Sequence, residues 1–245
     1  MFRYKITIEY DGTEFFGWQL QGCLPTIQLA VENALLSFYG REVRIFGSGR
    51  TDKGVHALGQ VAHFNLEKEY PPYKICEALN HFLKPLPISI VSAEITDNNF
   101  HSRFSAVKRS YIYKVLNRPS PPSLDKNRVW HVVKPLNLDK MQEASHYLLG
   151  KHDFTSFCST DCQAKSKIRT LDEITITKNH DAFEFFLESR SFLHNQVRII
   201  VGSLVKVGKG EWEVDMIKEA LEKKNRAAAG PTAPAHGLYF YKVDF

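Results

Sequence analysis

Cysteine is scarce in this chain, and its spacing is wrong for a metal. The four thiols stand at 23, 76, 158 and 162. None forms Cys-x-x-Cys, and Cys158-x3-Cys162 has no second close pair, which argues against a structural zinc site and leaves free thiols in a reducing compartment as the expectation. No apolar run approaches the roughly 20 residues that a membrane span needs. The N-terminus, Met-Phe-Arg-Tyr-Lys-Ile, alternates like a strand and carries no apolar signal core. Together these absences lead us to expect a cytoplasmic protein with no membrane partner. Neither charge is in large excess. The net charge of +5, with 12% aromatic residues, leans toward a polyanionic partner such as nucleic acid without deciding it, because charge governs association and not fold. What remains is an ordinary globular composition, 43% apolar and 24% charged over 245 residues, enough for one large or two small domains with a proper core.

The stretch on which the chain turns is Gly47-Ser-Gly-Arg-Thr-Asp-Lys-Gly-Val-His-Ala57, followed at once by Leu58-Gly-Gln-Val-Ala-His-Phe64. Three glycines, an arginine, an aspartate and a histidine lie between apolar runs, so a tightly turned backbone presents polar side chains at a sheet edge. Arg50 and Asp52 are two apart, and in an extended segment both leave the same side. A guanidinium so placed holds a carboxylate ionised, as a nucleophile or base at neutral pH requires. The alternative is a glycine-rich hairpin with a surface ion pair, the commoner case for Arg-Thr-Asp alone.

Taken in order, Phe2, Tyr4, Ile6, Ile8 and Tyr10 alternate with polar residues and predict a strand ended by Asp11-Gly12. Phe15, Phe16 and Trp18 fall in a loop. Thr26 is a plausible N-cap for a helix with Ile27, Ala30, Val31, Ala34, Leu35 and Phe38 on one face, closed by Gly40. Strands are predicted over 43–46 and 61–66. Pro71-Pro72 opens a helix that turns Ile75, Ala78, Leu79 and Phe82 inward, and 88–95 is a further strand. This order, β-α-β-β-α-β, is the ferredoxin-like arrangement, with helices on one face of an antiparallel sheet. Beyond it, strands are predicted over 109–116, 129–133, 171–177, 183–188 and 238–245. Helices are predicted over 138–149, 195–207 and 214–221, with loops at 117–123, 152–167 and 226–236. We therefore expect an α+β fold of two ferredoxin-like halves, 1–104 and 105–245, with helices on one side of antiparallel sheets and an RNA-binding cleft between the halves.

Several motifs now converge on one family. Tyr10-Asp-Gly-Thr-Glu-Phe-Phe-Gly-Trp-Gln19, Gly49-Arg-Thr-Asp-Lys-Gly-Val-His-Ala57, Gly59-Gln-Val-Ala-His-Phe64, Phe100-His-Ser-Arg-Phe-Ser-Ala106, Arg109-Ser-Tyr-Ile-Tyr113, His194-Asn-Gln-Val-Arg-Ile-Ile-Val-Gly202 and Ala233-Pro-Ala-His-Gly-Leu238 occur in that order over nearly the whole chain. The ordered set resembles the tRNA pseudouridine synthases of the TruA family. The resemblance implies Asp52 as the catalytic aspartate, Arg50 as its ionic partner, Arg198 as the basic residue near it, and Tyr111 as the ring that packs on the target base. It further implies isomerisation of uridine to pseudouridine in the anticodon stem-loop, at tRNA positions 38, 39 and 40, by a homodimer. Gln196 stands where the family often has methionine, and Ile112 where a basic residue is common.

That reaction breaks the C1′–N1 bond, turns the uracil and joins C5 to C1′. Asp52 would attack at C1′ or at C6, or take a proton, and Arg50 and Arg198 would compensate its charge. No cofactor and no metal is required. Lys53, Lys108, Arg109, Lys165, Lys167 and Arg169 are candidates for phosphate contacts, which make binding salt-dependent. Two other readings stand beside this one: a non-catalytic RNA-binding protein, and a metal-dependent hydrolase built on Asp52, His56 and His63. The two histidines match no zinc spacing.

Overall fold

The alternation at the N-terminus is realised as β1 (Phe2–Tyr10), which buries Tyr4, Ile6, Ile8 and Tyr10. The computed structural model describes all 245 residues and divides into two units, 1–107 with 239–245, and 108–238.

In the first unit, α1 (Ile27–Tyr39) starts where its cap predicts, with the Thr26 side chain accepting the Leu29 N–H, and it stops at Gly40. Ile27, Val31, Ala34 and Leu35 are its buried face. Replacing Thr26 by alanine should cost about 1 kcal/mol, read as a lower urea midpoint with unchanged slope.

The strand expected at 43–46 shrinks to β2 (Phe46–Gly47). Val43 and Ile45 are buried, as an alternating strand requires. Side chains of α1 take the Ile45 backbone, however: Glu32 accepts its N–H at 3.1 Å, and the Gln28 amide donates to its carbonyl at 3.3 Å. A backbone satisfied in this way has no need of a neighbouring strand. β3 begins five residues earlier than its apolar run, at His56 (His56–Leu66), because Ala57 already pairs with Tyr10.

α2 (Pro72–Leu83) opens on Pro72 and buries Ile75, Leu79 and Leu83. Phe82, expected inward, is exposed, since steps of four from Ile75 reach residue 83. With β4 (Ile88–Thr96) the sheet runs β4-β1-β3-β2, all antiparallel, which is the ferredoxin-like order.

The second unit holds β5 (Lys108–Asn117), β6 (Trp130–Val132), α3 (Leu138–Ser145), β7 (Gly150–Asp153), β8 (Ile168–Leu171), β9 (Glu173–Asn179), β10 (Ala182–Ser189), α4 (Gln196–Gly208) and α5 (Met216–Lys223). β10 lies antiparallel between β5 and β9, and β6 runs parallel to β5. β7 and β8 form a separate antiparallel ladder at the two ends of the segment expected to be loop. Gly-Lys-His-Asp has no apolar alternation to announce a strand. α4 is buried on nearly every side, with Val197, Ile199, Ile200, Val201, Leu204, Val205 and Val207 enclosed.

The closing strand β11 (Leu238–Asp244), which the sequence groups with the second half, gives residues 239–245 to the first unit. There Tyr239 and Phe240 pair in parallel with His56 and Ala57. No helix is long and apolar enough to cross a membrane.

Candidate active site

The loop after Gly47 is held from beneath by the segment that follows β1. Tyr10 is buried at the end of that strand, and its hydroxyl lies 2.8 Å from the Thr51 hydroxyl. Burial raises the Tyr10 pKa, so the phenol stays protonated as a hydrogen-bonding group.

Asp11 accepts the Thr13 N–H at 3.0 Å and turns the chain, which brings the backbone of the opening motif against the backbone of the loop. A Cβ on Gly12 would stand 2.0 Å from the Val55 carbonyl oxygen. One on Gly17, whose φ is +86°, would stand 2.3 Å from the Thr51 oxygen and 3.0 Å from the Asp52 carbonyl carbon. The Trp18 N–H donates to the same Thr51 oxygen at 3.0 Å, and the Gly54 N–H to the Phe15 carbonyl at 3.4 Å.

Asp52 opens a four-residue turn. Its carbonyl accepts the Val55 N–H at 3.1 Å, and Gly54 supplies the left-handed backbone (φ 78°) at the third position. The Asp52 side chain is half-buried, while Arg50 and Lys53 on either side are exposed and Thr51 is buried. An exposed guanidinium compensates a neighbouring charge only weakly, because water screens it. Lys53 Nζ stands 4.0 Å over the Phe16 ring.

From the other direction Gln60, fully buried, accepts the Ser48 hydroxyl at 2.6 Å and donates to the Gly49 carbonyl at 2.9 Å. Tyr10, Thr51 and Gln60 are therefore positioning residues that the sequence reading passed over. For Thr51 the missed signal was that a residue between two polar neighbours in an extended segment points the opposite way, into the protein.

The two histidines considered as metal ligands are committed elsewhere. His56 Nδ1 receives the Gly12 N–H at 3.0 Å, and its ring stacks on Tyr239 with centroids 4.8 Å apart. His63 Nδ1 lies 2.9 Å from the Ser102 hydroxyl, and its ring stacks on Phe46. Burial first, then His101 and Arg3, bring its pKa down to about 4, so the ring is neutral at neutral pH.

In the second unit the two tyrosines of β5 divide the work. Tyr113 is fully buried, donates its hydroxyl to the Pro234 carbonyl at 2.7 Å and meets Trp130 edge-on. Tyr111 is half-buried, with Phe192 edge-on at 5.1 Å.

Arg198 sits in the first turn of α4. The helix begins after Asn195, which takes a left-handed conformation (φ 61°), and the Gln196 side chain accepts the Leu193 N–H at 2.8 Å to close the approach. The Arg198 guanidinium donates from Nε to the Ala233 carbonyl at 2.7 Å and from Nη1 to Asn195 Oδ1 at 2.8 Å, and the Ala233 N–H returns to the Arg198 carbonyl. The irregular 226–236 crossing thus serves to seat one half-buried arginine.

The basic residues differ in how open they are. Lys53 and Lys165 are exposed. Lys108 pairs with Glu188 at 2.5 Å, and Arg109 donates to the Arg190 carbonyl at 2.7 Å. Lys167 donates to the Cys162 carbonyl at 2.8 Å, and Arg169 folds back onto the carbonyls of Ser166 and Ile168.

The geometry thus presents one half-buried carboxylate, Asp52, on a turn locked by backbone packing. The comparisons name the family. The model described as tRNA pseudouridine synthase matches residues 6–105 and 144–245. A protein of Afipia carboxidovorans named tRNA pseudouridine synthase A is 51% identical over 243 residues, and one of Rhodopseudomonas palustris with the same name is 50% identical, each alignment covering 99% of both chains. A chain of a solved Cbf5-Nop10-Gar1 complex aligns over 92% of this chain and 60% of its own at a TM-score of 0.35 and 12% identity, too distant to carry an argument. The chain belongs to the tRNA pseudouridine synthase family, a family of isomerases.

Proposed function

We propose that this enzyme converts uridine to pseudouridine in the anticodon arm of tRNA, at positions 38, 39 and 40, with Asp52 as the nucleophile. The observation that carries the reading is the Asp52 turn, held rigid by Gly12 and Gly17 backbone contacts and by the buried Tyr10–Thr51 pair. The relatives' shared name supplies the tRNA.

Asp52 bonds to the reacting nucleotide while the glycosidic bond breaks and the uracil turns. Tyr111 packs on the base of a nucleotide taken out of its helix. Arg198, prealigned by Ala233 and Asn195, lowers the cost of charge at the carboxylate, and exposed Arg50 adds a smaller, water-screened contribution. Lys53, Lys108, Arg109, Lys165, Lys167 and Arg169 meet the phosphates, with the exposed Lys53 and Lys165 needing no rearrangement to do so. The homodimer implied by the family resemblance belongs to the same proposal.

Unmodified tRNA transcripts with uridine at 38, 39 or 40 should gain pseudouridine at those positions and nowhere else. Pseudouridine mapped outside the anticodon arm, or none at all, would overturn the reading. Binding should weaken with salt, and Lys53→Ala should flatten the slope of log affinity against log salt by about 1.

A further inference from the structure

Next to the Asp52 carboxylate stands a positive charge that is held in place without being neutralised. Lys53 follows Asp52 directly and is exposed, and its Nζ lies 4.0 Å from the centre of the Phe16 ring. The face of an aromatic ring attracts an ammonium but carries no net charge to cancel it. Two other lysines considered for phosphate contacts are held differently. Lys108 is paired with the Glu188 carboxylate, and Lys167 donates to the Cys162 carbonyl.

The ring owes its place to backbone contacts and not to the lysine. The Phe16 N–H donates to the Pro25 carbonyl at 2.9 Å, and the Gln21 side-chain amide donates to the Phe16 carbonyl at 3.1 Å. On either side the chain is tied to the loop, by the Gly54 N–H to the Phe15 carbonyl and by the Trp18 N–H to the Thr51 carbonyl. Gly17, between them, has no room for a Cβ against the Thr51 oxygen. Phe16 and the Asp52 turn are therefore one rigid piece.

We propose that Phe16 is a positioning residue, which aims the Lys53 ammonium at a phosphate flanking the reacting uridine. A carboxylate that reaches C1′ or C6 of a nucleotide brings the two phosphates on that ribose near its turn, within reach of the adjacent lysine. A lysine that wanders in solvent loses rotamer freedom when it meets a phosphate, and the loss weakens the contact. On the ring, part of that freedom is lost on folding instead. An ammonium has three N–H donors, and the ring occupies only the side turned toward it, so the others stay open to the phosphate. The inference rests on the proposed roles of Asp52 and of tRNA as substrate, whereas the contact between ring and ammonium does not.

The test is a double-mutant cycle, read as the dissociation constant at fixed salt for an unmodified tRNA transcript with one target uridine in the anticodon arm. Phe16→Leu should weaken binding roughly two- to fivefold, and Phe16→Tyr, which keeps the ring, should bind as the wild type does. In a Lys53→Ala background Phe16→Leu should leave binding unchanged, because the ring then has no ammonium to place. A stability loss common to both backgrounds cancels in the cycle. An uncharged methylphosphonate in place of one of the two phosphates on the target uridine should likewise abolish the Phe16→Leu effect. Without RNA, the Lys53 protons next to Nζ should resonate upfield of those of other lysines, through the ring current of Phe16, and return to the ordinary position in Phe16→Leu.

An equal loss in both backgrounds, a Phe16→Tyr that binds as weakly as Phe16→Leu, or an unshifted Lys53 resonance would overturn the positioning role. A Phe16→Leu effect that persists with either phosphate uncharged would overturn the assignment of its target. None of these readouts needs pseudouridine to form. A protein that shows the cycle but modifies no uridine would lack the activity proposed above while keeping Lys53 on a phosphate.

Discussion

Asp52→Asn should lower single-turnover pseudouridine formation by about 10,000-fold or more, the scale seen when a nucleophile is removed from an otherwise intact site. Asparagine has the shape of aspartate but neither its charge nor its nucleophilicity. The turn it sits on is made by backbone, from the Asp52 carbonyl to the Val55 N–H, and survives the change. The half-buried position tolerates an amide. The variant should therefore melt within about 2 °C of the wild type and bind tRNA within a few-fold, so that the loss lies in the chemical step. A variant retaining a tenth of the wild-type rate would show that the carboxylate neither attacks nor takes the proton.

Gly17→Ala should lower kcat about 100-fold without touching any group that meets the nucleotide. At φ +86° an L-residue costs roughly 1–2 kcal/mol. The new Cβ would also sit 2.3 Å from the Thr51 oxygen, a backbone atom that yields only if the loop moves. Because a shift near 1 Å at a reacting group costs on the order of 100-fold, the displaced carboxylate accounts for the loss. Strain and contact together should also lower stability by about 2 kcal/mol or more.

Gly22→Ala is the control. It shares the left-handed backbone (φ +53°) but meets nothing within 4 Å, so it should lose about 1 kcal/mol of stability and no activity. If Gly17→Ala were fully active, the packing of the opening motif against the loop would have no part in placing Asp52.

Legibility in the sequence followed the range of the interactions. β1, α1 and α2 were readable because their signals repeat every two or 3.6 residues and their ends carry a cap or a proline. The strand expected over 43–46 was misplaced because Val43 and Ile45 are buried as in a strand, while the Ile45 backbone bonds to Gln28 and Glu32 on α1. Thr51 carried no signal of its own in the sequence because its partner, Tyr10, lies 41 residues away. Nothing around Arg198 announces Ala233, 35 residues on, as the carbonyl that aims it.

The sequence by itself determined the element order, the glycine-rich turn with its one carboxylate, and the ordered motifs that mark the family, because each is written in local period or residue type. Only the tertiary structure decided which surfaces those pieces press against. It set Gly12 and Gly17 under the Asp52 turn, buried Thr51 against Tyr10, seated the Arg198 guanidinium on the Ala233 carbonyl, and gave the last strand to the first unit. Those contacts join residues far apart in the chain, and close packing, which no local pattern records, selects them.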